Sequence, residues 1–298
     1  MIMKNKLSDI YSILMAPLLR AFLLMLGTTT GVWIRFEKVR GDLFSYRVCL
    51  EGMDLKISNY LRCYADRCSI EFSILDFSLD MLIVSNVCVE GVRFEYNHVS
   101  DQDVIPRSLP PFLIRQLQLK DAVVVFTDHS RGTPYSFNIH LQDYQCEALH
   151  SQWLLFNAIF TSCMSGQLED SALSIQYTEQ GEKCISQWGI RGLPIKQVSH
   201  FVDGKLDLLE QSAFDLLVTN EWLMEKDEIT MSVQVWLIDL VNFRLPTLLP
   251  TTSNALADAM SVLINHQVKS IPLAFQFKVK KGDFMELTNI DAAGILTA

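Results

Sequence analysis

Apolar and β-branched residues alternate with polar ones along most of the chain beyond Arg35, and this period of two constrains the fold more than any other feature. Residues 70–74 read Ile-Glu-Phe-Ser-Ile, and residues 232–235 read Ser-Val-Gln-Val. Successive side chains of a strand point to opposite faces of a sheet, so each run places one apolar row on one face. The pattern predicts a mainly β protein.

Many strands are predicted in succession without long helices between them, which favours an antiparallel meander. The expected architecture is an elongated, curved antiparallel sheet, forming an open groove or half-barrel. Val87 and Val89 occupy odd positions and Phe94 and Tyr96 even ones, so a bulge at Gly91 would restore one apolar face. Strands are predicted at Trp33–Val39, Leu43–Ile57, Cys68–Phe77, Met81–Tyr96, Ile114–Thr127, Tyr135–Gln145, Leu154–Met164, Leu173–Tyr177, Cys184–Ile190, Lys205–Val218, Glu228–Asn242, Ile271–Val279 and Phe284–Leu296.

Helix signals are few and lie in the C-terminal half. Pro194–Phe201 predicts a short helix that begins with proline and stops before Asp203-Gly204. Ser253–Gln267 predicts a second helix, which would cover a sheet end or an open core. Ser100–Pro111, with three prolines, is the predicted loop or sub-boundary within a β-rich body of residues 35–298.

The N-terminal residues 1–34 form a predicted apolar helix. Ile10–Ile34 contains no acid and follows Lys4 and Lys6, and it is long enough to span a bilayer with the body on the non-cytoplasmic side. Pro17 and Arg20 spoil an ideal span, so a helix lying in the interface and a helix buried in the core remain open. A cleaved signal peptide is disfavoured because Gly27–Gly31 offers no clear cleavage pattern.

Composition and motifs exclude several classes of function. A net charge of −9 without a basic cluster disfavours nucleic acid as a partner. A hydrophobic share of 49% indicates either a very large core or apolar surface that needs lipid. No nucleophile elbow, phosphate loop or dinucleotide fingerprint occurs, so no catalytic residue and no cofactor is predicted. Asp128-His129-Ser130 is interpreted as a polar turn, because neighbours in sequence rarely face one another as a triad requires.

The seven cysteines lack metal-binding spacing, and no metal site is predicted. Cys63 and Cys68 flank a short polar segment, so they could form a disulfide across a hairpin if the compartment is oxidising. Buried free thiols are the equally open alternative.

Several segments resemble the AsmA-like superfamily of bacterial envelope proteins, which includes relatives of TamB and YhdP. Residues 36–43 and 50–55 are similar to the first two strands of that family, and residues 75–79 with 83–96 to a later strand pair. The strongest similarity is at residues 110–128, PPFLIRQLQLKDAVVVFTD, which resemble a recurrent family element of the form i-x-x-l-x-l-x-d-a-x-v-x-f-x-d.

The resemblance implies an inner-membrane anchor and a curved sheet in the periplasm whose concave apolar face carries phospholipid. A dozen strands would extend only about 60 Å, which leaves an assembly or accessory role open, as in the N component of type II secretion. The function expected is therefore non-enzymatic binding or conduction of phospholipid or another acyl lipid in support of outer-membrane biogenesis. The alternative is a periplasmic assembly or secretion scaffold that pairs with other envelope proteins through its sheet edges.

Alternating apolar positions provide the candidate lipid-binding residues, because acyl chains fill an open apolar face without directional contacts. The same residues could instead form a closed core, and the sequence leaves both possibilities open. The candidate groove residues are Phe72, Ile74, Val87, Val89, Leu117, Leu119, Val123, Val125, Leu206, Leu208, Val233 and Val235.

Overall fold

The fold is one large open β-sheet, seen in a computed structural model that describes residues 33–42, 46–56, 61–72, 81–98, 111–129, 134–199, 212–238 and 270–284, together with six positions between 16 and 24. Apolar and polar residues alternate along much of the sheet, as expected where one face is apolar. The strands are β1 (Trp33–Arg35), β2 (Lys38–Asp42), β3 (Arg47–Lys56), β4 (Leu61–Glu71), β5 (Leu82–Val84), β6 (Asn86–His98), β7 (Phe112–Asp128), β8 (Tyr135–His150), β9 (Ser162–Leu168), β10 (Ser171–Gln180), β11 (Lys183–Pro194), β12 (Ala213–Leu223), β13 (Glu228–Ile238) and β14 (Ser270–Lys280).

The described helices are short. A turn of 3-10 helix, Ser151–Trp153, leads into α1, Leu154–Phe160, which connects β8 to β9. Helix α2, Ile195–Ser199, follows β11, and a second 3-10 turn, Lys281–Phe284, follows β14. Backbone at Ala16, Pro17, Arg20, Ala21, Leu23 and Leu24 is helical.

The strand order is β1-β3-β4-β6-β7-β8-β9-β10-β11-β12-β13-β14, with β2 also on β3 and β5 also on β7. Neighbours are antiparallel except that β5 and β6 run parallel to β7. The expected mainly β, mostly antiparallel sheet is thus confirmed, with one parallel step where the predicted loop at Ser100–Pro111 lies. Apart from Pro111, that loop is outside the described residues.

One predicted strand is wrong. Leu154–Met164 was expected to be extended, but Leu154–Phe160 forms α1 and β9 begins only at Ser162. The run is largely apolar, so a buried strand cannot be told from a buried helix by periodicity in so short a segment. The helix predicted at Pro194–Phe201 is confirmed over Ile195–Ser199. The predicted Ser253–Gln267 helix lies outside the described residues, and so does the predicted Phe284–Leu296 strand beyond Phe284.

Two clusters of buried side chains line the same face of the sheet. The first cluster lies on β2 to β8 and includes Leu50, Val89, Ala122 and Cys146. The second lies on β11 to β14, with Ile229 and Phe160 fully buried. Trp188 and Val218 are direct partners across β11 and β12, as are Val218 and Val233 across β12 and β13, so the second cluster follows one continuous face. This face is called the apolar face below.

Candidate functional site

The alternation of apolar and polar side chains shifts by one residue along a line that crosses five neighbouring strands. At this line each strand places two successive residues on the opposite, polar face, and the alternation then resumes one residue out of step. Gly52, Gly91 and Asp121 adopt φ values of 62°, 62° and 52° there, the left-handed region that glycine favours. The pairs are Glu51-Gly52, Asp66-Arg67, Glu90-Gly91, Lys120-Asp121 and Gln142-Asp143.

The shift at Gly91 is the one predicted from the sequence. Val87, Val89 and Phe94 all pack in the first cluster, so the odd and even positions do share one face. A Cβ on Gly91 would collide with the carboxyl group of Asp66, because that side chain lies over the glycine. The expected irregularity at Gly91 is confirmed.

The matching shift at Asp121 divides the predicted groove residues of β7. Leu117 and Leu119 lie on the apolar face, opposite Val87 and Val89 of β6. Val123 and Val125, which were predicted as groove residues together with them, do not share that face. The residues that continue the row are Ala122, Val124 and Phe126.

Val123 and Val125 lie instead on the polar face. Val123 is placed between Arg93 and His140 of the adjacent strands, and Val125 between Glu95 and Asn138. Arg93 and Glu95 form an ion pair at 2.7 Å on that face. The signal that could have revealed this phase is the Lys120-Asp121 pair, since two successive charged residues cannot both continue a buried alternation.

Other predicted groove residues are distributed as follows. Val233 is 7% exposed within the second cluster and Val235 packs against that cluster. Phe72 follows β4, is 39% exposed and donates its backbone N–H to the carbonyl of Tyr46. Ile74, Leu206 and Leu208 lie outside the described residues.

Helix α1 covers the apolar face at one end of the strands and carries an aromatic group that the sequence did not reveal. Phe160 stacks on Phe156 with ring centroids 5.1 Å apart and also meets Trp188 and Trp222 at 5.0 and 6.0 Å. Strand pairing places Trp188 of β11 and Trp222 of β12 on the same face, and Phe160 of the unpredicted helix contacts both rings. These aromatic residues fill the face at this end.

Hydrogen bonds hold α1 in place. The Tyr144 hydroxyl donates to the Ala158 carbonyl at 2.9 Å, and the Cys146 thiol to the Asn157 carbonyl at 3.5 Å. Burial raises the pKa of Tyr144 well above its ordinary value, so the hydroxyl remains a donor at neutral pH. Lys281 Nζ donates to the carbonyls of Leu223 and Met224 beside this helix, and burial lowers the pKa of its ammonium group.

Away from α1 the apolar face carries side chains that are only partly covered. Tyr96, Phe126 and Phe137 form a row across β6, β7 and β8, with ring centroids 5.5 and 4.9 Å apart. At the β14 side, Leu273 and Phe275 are 49% and 52% exposed although their partners on β13 belong to the second cluster. The apolar surface therefore extends to the last strand.

The polar face carries several ion pairs between neighbouring strands. An open depression of about 690 Å³ lies on it near β2, β3 and β4. Three arginines and three acids line this depression, and all three arginines already pair with glutamates. The pairs on this face include Arg40–Glu51, Arg47–Glu71, Arg62–Asp54, Arg67–Glu90, Lys183–Glu221 and Lys278–Glu228.

The possible disulfide between Cys63 and Cys68 is not formed. Both residues lie in the continuous strand β4, with no hairpin between them, and all seven cysteines are free thiols. Five residues along a strand span about 16 Å, whereas a disulfide needs Cα atoms within about 7 Å. Both thiols point into the first cluster, and burial raises their pKa to about 12.

Among the residues that the structure describes, no three His, Cys, Asp or Glu side chains are placed to hold a metal ion. Asp128, in the predicted polar turn, is the last residue of β7 and is 4% exposed, and His129 follows it on the surface. Ser130 lies outside the described residues.

Some of the described N-terminal positions contact the sheet. Leu23 is buried in the first cluster, and Arg20 Nη2 donates to the Glu37 carbonyl at 3.3 Å while its guanidinium lies over the Phe36 ring. None of the helices within the described part of the chain is long and apolar enough to cross a bilayer.

No protein-family model matches the chain, and no curated protein matches it.

Proposed function

We propose that the protein binds an acyl lipid such as a phospholipid along the apolar face of its sheet, as a non-enzymatic component of a bacterial envelope. In this proposal the N-terminal segment holds the body at the inner membrane, on its periplasmic side. The resemblance of residues 110–128 to AsmA-like proteins and the long apolar face support the proposal.

The observation that carries the proposal is the exposure of Leu273 and Phe275. Both are about half exposed on the same face as Val233, which is 7% exposed. Apolar surface left in water costs about 25 cal/mol per Å², so neighbouring exposed apolar side chains that extend a buried apolar face favour a binding surface. An acyl chain suits it because each buried methylene contributes about 0.8 kcal/mol without directional demands.

The position of α1 suggests where acyl chains would lie. Phe156 and Phe160 fill the face at the end of the strands where β8 finishes and β9 begins. The proposed chains therefore run along the opposite half, past the row formed by Tyr96, Phe126 and Phe137, and toward Leu273 and Phe275 on β14. The phenylalanine rings there supply apolar area without a polar group that lipid would have to desolvate.

Native mass spectrometry of the detergent-extracted full-length protein tests the proposal with two matched variants. Phe275→Asp places a carboxylate on the apolar face, where its half-exposed position lets it hydrate without unfolding the sheet. Ala274→Asp places the same charge on the neighbouring exposed residue of the polar face. We expect phospholipid on the wild type and on Ala274→Asp, and loss of it from Phe275→Asp, with thermal melting unchanged in both variants.

Lipid-free wild-type protein would contradict the proposal. Equal lipid occupancy in Phe275→Asp and Ala274→Asp would also contradict it, because lipid binding would then not depend on which face carries the charge.

A further inference from the structure

The last strand of the sheet, β14, offers one side of its backbone for pairing. The N–H of Lys281 donates to the Asp227 carbonyl at 2.8 Å, directly after the last register pair, Glu228 with Lys280. N–H and C=O of one residue point to the same side of a strand, and successive residues alternate. The odd-numbered residues of β14 therefore bond to β13, and the even-numbered ones direct their backbone groups outward.

Proline occupies one of the outward positions. Pro272 has no N–H, so it fits an edge strand only where no ladder bond is needed, which agrees with its outward position. The outward amides that follow it are those of Ala274, Gln276 and Lys278. Among the described residues, no strand pairs with this side of β14.

The side chains of β14 form two distinct rows. Leu273 and Phe275, half exposed, extend the apolar face, whereas Lys278 and Lys280 lie on the polar face. A strand added beside β14 would meet an apolar row on one face and a basic row on the other.

We propose that β14 accepts an extended segment of another protein, in which apolar residues alternate with acidic ones. Its acidic residues would lie beside Lys278 and Lys280 on the polar face, and its apolar residues would lie beside Leu273 and Phe275 and continue the apolar face. Neighbouring strands already pair in this way, since Lys183 bonds Glu221 and Lys278 bonds Glu228, both at 2.8 Å. Opposite charges across adjacent strands stabilise pairing, and like charges oppose it.

The charge of both sheet edges argues against a second copy as the partner. The first edge carries Arg35, Lys38 and Arg40 on the polar face, although the chain has a net charge of −9. Pairing β14 with the β14 of another copy, or with the first edge of another copy, would place basic residues beside basic residues. An acidic strand meets no such repulsion.

Backbone amide hydrogen exchange of the full-length protein, resolved to single residues, tests the edge. The probe is a blocked peptide of alternating valine and glutamate, compared with the same peptide in which lysine replaces glutamate. We expect fast exchange at Ala274, Gln276 and Lys278 in the free protein, with Phe275 and Phe277 protected by β13. The glutamate peptide should slow the three outward amides, and the lysine peptide should not.

Three results would overturn the proposal. Outward amides that are already protected at every protein concentration would show that the chain's own residues cover the edge. Protection that grows with protein concentration would show a second copy. Equal effects of the two peptides on amide exchange, or no effect of either, would exclude an acidic strand as the partner.

Variants separate the edge from the lipid proposal. Lys278→Glu should weaken binding of the glutamate peptide about fivefold, whereas Lys183→Glu makes the same charge reversal in an ion pair inside the sheet and should leave binding unchanged. Gln276→Pro removes an outward amide without touching the β13 ladder and should abolish protection. Since Lys278 and Gln276 lie off the apolar face, neither variant should alter lipid occupancy, so the two proposals can fail independently.

Discussion

Side-chain direction decides the reactivity of the cysteines. Cys63 and Cys68 are 4% and 5% exposed, and burial raises the pKa of each to about 12, so the thiolate that attacks electrophiles is scarce at neutral pH. Cys163 lies exposed on β9. A buried neutral thiol favours the folded state, and this contribution falls as pH rises above the ordinary thiol pKa.

We expect iodoacetamide at neutral pH to label Cys163 much faster than Cys63 or Cys68 in the folded protein. Peptide mapping by mass spectrometry over a time course measures the three rates. Protein unfolded in urea is the control, where all seven cysteines should react at similar rates. Equal labelling of Cys68 and Cys163 before unfolding would show that the first cluster is open to solvent.

At the scale of elements, α1 connects β8 to β9 and joins the two halves of the apolar face. Its Leu154 and Ala158 pack against the first cluster, while its Phe156 and Phe160 belong to the second. Phe160 is fully buried, and its ring contacts the rings of Phe156, Trp188 and Trp222. The stability of the second cluster therefore depends on α1, a helix in the connection between two strands.

Phe160→Ala should lower the free energy of unfolding by about 3–5 kcal/mol, because it removes a fully buried aromatic side chain and leaves a cavity. Urea denaturation followed by tryptophan fluorescence measures the change, since Trp188 and Trp222 contact the ring. Gln152→Ala, an exposed position in the preceding 3-10 turn, should change stability by less than about 0.5 kcal/mol. A loss at Phe160 no larger than that of the control would mean that α1 does not pack as described.

For the whole molecule, the line of phase shifts decides which residues lie on the apolar face of the sheet. Every strand from β3 to β8 in the main strand order turns two successive residues outward on this line, so the apolar rows on either side stay on one face. If one strand lost its extra residue, the side chains beyond the line would exchange faces, and its polar set would lie on the apolar face. The line is therefore a property of the sheet as a whole and cannot be changed in one strand alone.

Deletion of Asp121 should prevent folding, because it would turn Val124 and Phe126 outward and Val123 and Val125 inward. Asp121→Gly keeps the extra residue and relieves a φ of 52°, so it should raise stability by up to about 1 kcal/mol. Circular dichroism and thermal melting of both variants measure the difference. A deletion variant that melts like the wild type would disprove the role of the line.

The sequence by itself determined the class of fold and most strand positions. The period of two predicted β7, β8, β10, β11, β13 and β14 close to their observed bounds, and Gly91 revealed one phase shift because glycine is the residue that tolerates positive φ. The same shift at Asp121 was missed, although Lys120-Asp121-Ala122 carries it. Asp tolerates that conformation less readily than glycine, so its signal is weaker.

Tertiary structure alone decided how these strands are used. Leu154–Phe160 becomes a helix because packing against Trp188 and Trp222 outweighs local preference, and those partners are far away in sequence. The assignment of Val124 and Phe126 to the apolar face depends on the register with β6 and β8, and the outward backbone of β14 depends on its pairing with β13. A local pattern shows that side chains alternate, whereas only long-range pairing decides which face is buried and which edge remains open.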